Sequence, residues 1–192
     1  MIKIEWVYRE ILYQCLEKKN STLTQLALAK KLHLSLSTVH YALQPLQQMG
    51  AIEIGLKNFR VLDAAKIIYH WASVRNITKD IVYKTRVEQP VRTIESEMPA
   101  NIIWGAYSAY KYKFKDVPAD YSEVYVYGDE MEMKKRFPNQ PQQPNMFVLK
   151  PDNMIAEYGN TTTLAQTMVD LWNLPEWYAK EFVEALKKRI GV

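Results

Sequence analysis

One stretch, SLSTVHYALQPLQQMG at residues 35–50, constrains the fold of this chain more than any other. Val39, Leu43 and Leu46 recur at spacings of four and three residues, which predicts one apolar face of a helix. Ser35 can cap the start of this helix, and Gly50 supplies the left-handed conformation that ends it. The opposite face offers hydrogen-bonding groups without a carboxylate: Ser37, Thr38, His40, Tyr41 and Gln44. Such a face suits base edges and phosphates, although an ordinary amphipathic helix shows the same apolar pattern.

The segments on both sides of this helix predict a winged helix over residues 1–62. A helix at about 25–32, with Leu26 and Leu32 inward, is joined to the polar-fronted helix by the short turn His33-Leu34, which predicts a helix-turn-helix. Thr22 with Gln25 fits a capping box for it, and Thr24 is an alternative cap. After Gly50, AIEI and FRVL predict two strands around a tight turn at 55–58, which is the pattern of a wing. Pro45 predicts a bend past the base-reading face.

The positive charge of the chain is concentrated in this first third. Residues 1–62 hold eight Lys or Arg against four Glu, whereas residues 63–192 hold 17 of each sign. The whole net charge of +4 therefore lies in the predicted winged helix. A local basic excess attracts polyanions such as nucleic acid, although an excess this small also arises by chance.

The order of these elements carries a family resemblance. TQLALAKKLHLSLSTVHYALQPLQQMGAIE resembles the winged helix of prokaryotic transcription regulators, in which LAKKL precedes a turn, S-x-STV and a Leu-rich repeat ending in G-x-I. The resemblance covers about a third of the chain, and it implies binding to double-stranded DNA.

Residues 63–192 predict a second domain of mixed helices and strands. A connecting helix at 63–76, with Ile67, Ile68, Trp71 and Val74 inward, leads to a strand at 81–87, a short helix ending before Pro99 and a helix at 101–112. YSEVYVYG predicts a strand, DEMEMKKRF a helix, and MFVLK with MIAEYG a strand pair. Thr163 and Gln166 fit a capping box, and the last helix is expected to bury Trp177, Phe182 and Leu186.

Most of the chain resembles one family of regulators. The pattern WGAYSAYKYKF, YSEVYVYGDE, KRF, MFVLKPD, TTLAQTMVDLWNLP and AKEFVEALKK resembles the second domain of AbiEi-type antitoxins of type IV toxin–antitoxin systems. These antitoxins carry an N-terminal winged helix. The resemblance implies an α+β fold, with a winged helix-turn-helix followed by a mixed α/β domain resembling a degenerate nucleotidyltransferase. It also implies autorepression of an operon and a partner toxin.

The sequence favours a protein that is not an enzyme. A nucleotidyltransferase needs two alternating carboxylates on a strand, but Asp120 and Glu123 are three residues apart and Tyr125 and Tyr127 occupy the strand interior. The three histidines do not cluster, and no Gly-rich phosphate loop or HExxH occurs, so we expect no metal and no cofactor. The run at 107–115, YSAYKYKFK, could stack on nucleic acid, but burial of its rings with solvated lysine ends is the favoured interpretation.

The leading hypothesis is a DNA-binding transcriptional regulator. The residues expected to contact DNA, as base readers or phosphate contacts, are Lys30, Lys31, Ser35, Ser37, Thr38, His40, Tyr41, Gln44, Lys57, Asn58 and Arg60. A single winged helix reads few base pairs, so we expect a homodimer on repeated half-sites. The alternatives are a nucleotidyltransferase-like enzyme with a DNA-binding anchor, and an interaction module that uses the winged helix for protein contacts. Without a membrane span, a signal peptide or a second cysteine beside Cys15, a cytoplasmic location is expected.

Overall fold

The computed structural model describes residues 1–192 and contains nine helices and seven short strands. The helices are α1 Lys3–Leu16, α2 Gln25–Leu32, α3 Leu36–Gln48, α4 Ala64–Val74, α5 Val91–Ser96, α6 Ala106–Phe114, α7 Glu130–Arg136, α8 Leu164–Trp172 and α9 Ala179–Ile190. The strands are β1 Thr22–Leu23, β2 Ile52–Ile54, β3 Phe59–Val61, β4 Ile81–Thr85, β5 Ile103–Trp104, β6 Val124–Tyr127 and β7 Met146–Leu149. Two 3₁₀ turns, Ile77–Asp80 and Ile155–Tyr158, complete the regular structure. The mixed α+β class expected from the sequence is confirmed.

The N-terminal part folds as the sequence pattern predicts. Thr24 caps α2, and Ser35 caps α3 by accepting from the Thr38 N–H at 3.1 Å. The left-handed backbone of His33, at φ 52°, turns the chain between the two helices, and Gly50, at φ 67°, ends the second. Strands β2 and β3 pair antiparallel as a wing, and β1 adds to the other edge of β3.

The C-terminal part is built on a four-stranded sheet in the order β4-β7-β6-β5. Only the central pair, β6 and β7, is parallel, and both outer strands are antiparallel to their neighbours. Alternate residues of the central strands face opposite sides. Val124, Val126 and Val148 pack with α5 and α7, whereas Tyr125 and Tyr127 pack toward α6, α8 and α9. Both faces of the sheet are therefore covered over much of their area.

The two halves share one hydrophobic core. A single cluster of 38 buried residues runs from α1 and α3 through α4 to α8 and α9. Helix α1 packs against α3 on one side and against α4 and α8 on another. The division of the chain at residues 62 and 63 therefore stays a prediction, because the residues on both sides of it belong to a continuous apolar interior.

Buried charges reinforce this junction. Arg9 of α1 is fully buried and donates to both carboxylate oxygens of Asp152, at 2.8 and 2.7 Å, and to Gln166 Oε1 at 3.2 Å. At the end of α4, Arg75 donates to Asp170 Oδ1 at 3.0 Å and lies 3.4 Å from Glu5 Oε2. The N-terminal helix is thus bonded to the C-terminal half by charge-assisted hydrogen bonds as well as by packing.

Several local expectations were wrong. Leu26, Val74 and Trp177 are exposed rather than inward, at 52, 54 and 77%. Thr22 lies in β1, so the capping role belongs to Thr24 alone. The expected helix at 101–112 begins only at Ala106, after the short strand β5, and MIAEYG forms a 3₁₀ turn instead of a strand. Each of these features depends on tertiary contacts, which the local sequence pattern does not contain.

Candidate nucleic-acid interface

Helix α3 turns an uncharged polar face to solvent. Val39, Ala42, Leu43 and Leu46 are fully buried, which fixes the rotation of the helix about its axis. On the opposite side, five of the expected site residues are exposed, and Thr38 is half-buried; the exposed ones are Ser35, Ser37, His40, Tyr41 and Gln44. The structure therefore brings together on one face all the α3 residues that the sequence assigns to DNA.

Three hydroxyls meet at the start of α3. Ser35 Oγ lies 2.8 Å from Ser37 Oγ and 2.8 Å from Thr38 Oγ1 while it also accepts from the Thr38 N–H. The first amides of a helix and nearby hydroxyls are donors for a phosphate oxygen. The helix start therefore offers polar groups for a backbone contact beside the base-reading face.

Tyr41 is an aromatic side chain on the exposed face, with 62% of its surface accessible. Helix α3 continues through Pro45, which cannot donate to the Tyr41 carbonyl because it lacks an N–H. The proline thus lies one turn beyond Tyr41 and leaves the exposed face from Ser37 to Gln44 within the helix.

The wing places its polar residues around a tight turn. The Gly55 N–H donates to the Asn58 carbonyl at 2.8 Å, and Lys57 and Asn58 are both exposed. Arg60 of β3 is exposed and lies 3.3 Å from Glu53 of β2. Because both side chains of this ion pair are exposed to water, it restrains the guanidinium only weakly.

A family model described as winged helix-turn-helix DNA-binding matches residues 9–53. This part of the chain is a winged helix-turn-helix of the DNA-binding class. The match begins within α1 and ends within β2, so it covers α2, α3 and part of the first strand of the wing. No curated protein and no solved structure matches the chain.

The winged helix-turn-helix also contains a residue that the sequence argument missed. Leu56, at the tip of the wing, is fully exposed. An apolar side chain at this position could pack on a deoxyribose or a thymine methyl group. The position of Leu56 in the turn between two predicted strands already indicates that it is exposed. The sequence prediction included only the polar residues of the wing among the DNA contacts.

The two lysines at the end of α2 differ in their surroundings. Lys30 is exposed and forms no ion pair. The Lys31 ammonium lies 2.8 Å from Glu10 Oε1 of α1, and it also lies near the rings of Tyr13 and Tyr158. The structure thus leaves Lys30 available to a phosphate and engages Lys31 with the protein's own surface.

The N-terminal part keeps its basic excess at the surface, because two of its four Glu but only one of its eight Lys or Arg are buried. Arg9 is buried and paired with Asp152. Glu5 and Glu10 are buried as well, and they pair with Arg75 and Lys31. Lys113 of the C-terminal half lies 3.4 Å from Glu17 and offsets the negative charge of that carboxylate. The cations that remain without an ion pair are Lys3, Lys18, Lys19, Lys30 and Lys57.

His70 and the aromatic-basic run pack against the protein's own side chains. His70 of α4 packs edge-on against Tyr8, and its Nε2 lies 3.3 Å from the Tyr8 hydroxyl. Burial lowers the pKa of His70 and raises the pKa of Tyr8 to about 12.

In α6, Tyr107 and Tyr110 are buried, as expected for the run at 107–115. His, Cys, Asp and Glu side chains do not gather in groups of three or more that could hold a metal ion.

Gly105, at the start of α6, is a close-packing site. A Cβ at this residue would lie 3.3 Å from the Tyr125 carbonyl oxygen and 3.3 Å from the Tyr127 ring.

No helix of the structure has the length and apolar character that a membrane crossing requires.

Proposed function

We propose that this protein is a transcriptional regulator that binds operator DNA through α3 and represses its own operon. The observation that carries the proposal is the exposed, uncharged polar face of α3, held beside a wing with a free lysine. A carboxylate on such a face would repel phosphates, whereas hydroxyl, imidazole, phenol and amide groups can all pair with base edges.

In this arrangement α3 enters the major groove, and the wing follows the adjacent backbone. Thr38, His40, Tyr41 and Gln44 lie nearest the base edges. The phosphate contacts come from three places. These are the hydroxyls of Ser35 and Ser37 at the helix start, Lys30 at the end of α2, and the wing residues Lys57, Asn58 and Arg60. Lys31 contacts a phosphate only after its ion pair with Glu10 breaks, so it exchanges the carboxylate of Glu10 for a phosphate.

Two copies of the chain would bind one operator. One winged helix contacts only a few base pairs, which is too little for tight discrimination, so repeated half-sites are expected. The role of an antitoxin rests on the resemblance of the chain to AbiEi-type regulators and on nothing in the geometry of α3. A nucleotidyltransferase-type toxin encoded beside this gene would support that role.

The test is selection of bound duplexes from a random pool, followed by fluorescence anisotropy on the enriched duplex and on a scrambled one. We expect one enriched, repeated sequence. The affinity should fall with salt along a log–log slope of about −5, as three neutralised phosphates in each of two copies require. If no sequence is enriched, or if binding is insensitive to salt, the winged helix-turn-helix serves contacts other than DNA.

A further inference from the structure

A groove of about 1230 Å³ opens on the C-terminal half of the molecule. None of its lining residues belongs to the winged helix-turn-helix. Its floor includes Phe147 of β7, its inner wall is the segment between α8 and α9, and its outer side is the edge strand β4. The volume exceeds that of most small-ligand sites, so a small molecule would occupy part of it.

An aromatic surface lies in this groove between two strands. Tyr125, Phe147 and Lys84 are register partners on β6, β7 and β4, and side chains in register share one face of a sheet. The rings of Tyr125 and Phe147 stack with their centroids 4.5 Å apart and their planes 7° from parallel. Tyr125 is buried, whereas Phe147 is only half-buried and exposes part of its ring to the groove.

The inner end of the groove is negative. Glu176 accepts hydrogen bonds from the hydroxyls of Tyr125 and Tyr107, at 3.1 and 3.0 Å. Glu123 accepts from Ser122 and Tyr178. Neither carboxylate forms an ion pair with the protein. Burial raises the pKa of Glu123, and the charge of Glu176 raises it further. A cation placed between them would relieve this repulsion.

The outer end of the groove is positive. Lys84 is exposed and forms no ion pair in the structure. Two strand spacings separate Lys84 from Tyr125, a distance of about 10 Å. The groove thus presents a negative end, an apolar middle and a positive end in that order.

The carboxylate end suits an organic cation better than a metal ion. Glu123 and Glu176 have no third acidic or histidine ligand beside them, whereas divalent cations such as Ca²⁺ take six or more oxygens. An ammonium or amidinium group needs only a few acceptors, and it is attracted to the faces of aromatic rings.

We propose that this groove binds a small zwitterion with an aromatic body. Its ammonium or amidinium group pairs with Glu123 and Glu176, its ring packs on Phe147, and its carboxylate or phosphate group pairs with Lys84. The proposal is independent of DNA binding, because no residue of the site belongs to the winged helix-turn-helix.

The test uses para-aminomethylbenzoate as the probe, with benzylamine and benzoate as its two halves, and measures binding to the full chain by protein-observed NMR. A fragment of this size is expected to bind with a Kd on the order of 1 mM. We expect it to bind about tenfold more tightly than either half, because only the complete probe engages both ends. Shifted resonances should include Phe147 and Lys84.

Two substitutions separate the ends. Lys84→Ala should abolish the advantage of para-aminomethylbenzoate over benzylamine and leave benzylamine binding unchanged, whereas Glu176→Gln should weaken both amines about tenfold. Lys150→Ala, an exposed lysine outside the groove, is the matched control. No binding at about 5 mM, or equal binding to wild type, Lys84→Ala and Glu176→Gln, would overturn the proposal. Lys84 is exposed and unpaired, so its variant tests the site even if Glu176→Gln unfolds.

Discussion

At the scale of single residues, the start of α3 depends on the hydroxyl of Ser35. Ser35 Oγ accepts the Thr38 N–H, which would otherwise have no partner within the helix. We expect Ser35→Ala to lower the free energy of unfolding by about 1 kcal/mol, measured by urea denaturation. Ser37→Ala removes a neighbouring hydroxyl that caps nothing, and it should change stability by less than about 0.5 kcal/mol. Equal losses for the two variants would contradict the capping role.

The half-buried imidazole of His70 predicts a pH dependence of stability. Its pKa is lowered in the folded state, so the unfolded chain takes up this proton first as the pH falls. The contribution of His70 is therefore complete above its unfolded pKa of about 6.5, and it is lost as the pH falls through the lower folded value. We expect His70→Gln to reduce the loss of stability between pH of about 7.5 and 5, measured by urea denaturation.

His40→Gln is the control, because it replaces an exposed histidine of α3 instead of the half-buried one. It should retain the wild-type loss of stability on acidification. A His70→Gln variant with the full wild-type loss would show that other groups cause the effect.

At the scale of elements, α1 joins the two halves through a buried charge. Removing Asp152 leaves the Arg9 guanidinium buried without its carboxylate. We expect Asp152→Ala to cost about 3–5 kcal/mol of unfolding free energy. Asp116→Ala breaks the ion pair between Asp116 and Arg189, and it should cost far less, because both side chains are more than a third exposed and water screens the pair. Comparable costs for the two variants would mean that Arg9 finds another partner.

Elements with a strong period and a cap could be predicted from the sequence. The apolar stripe of α3, its Ser35 cap and the Gly50 stop are local signals, and all three occur in the structure. The wing was predicted from two alternating segments around a turn. The exposed polar face of α3 follows from the same stripe, so the expected base-reading residues lie together.

The long-range contacts could not be predicted. Glu5, Arg9 and Glu10 are buried on α1, although charged residues normally indicate an exposed face. Their burial depends on Trp71, Asp152 and Tyr158, which lie far along the chain. The ion pair between Lys31 and Glu10 is also such a long-range contact, and without it the sequence assigned Lys31 to DNA.

At the scale of the whole molecule, the shared core predicts cooperative unfolding. A cluster of 38 buried residues links the winged helix-turn-helix to the C-terminal sheet and helices. We expect one transition in urea, with coincident curves from far-UV circular dichroism and tryptophan fluorescence. Two separated transitions would instead show that the boundary near residue 62 divides independent domains.

The central claim is that α3 reads bases while the wing contacts the backbone. The most direct measurement is anisotropy of Tyr41→Ala and Lys57→Ala on the selected duplex and on a scrambled duplex, with Lys180→Ala as the control from the C-terminal half. We expect Tyr41→Ala to reduce discrimination between the two duplexes by about 1–3 kcal/mol, and Lys57→Ala to weaken both by the same factor. Equal losses on both duplexes for Tyr41→Ala, or no loss for either variant, would contradict the claim.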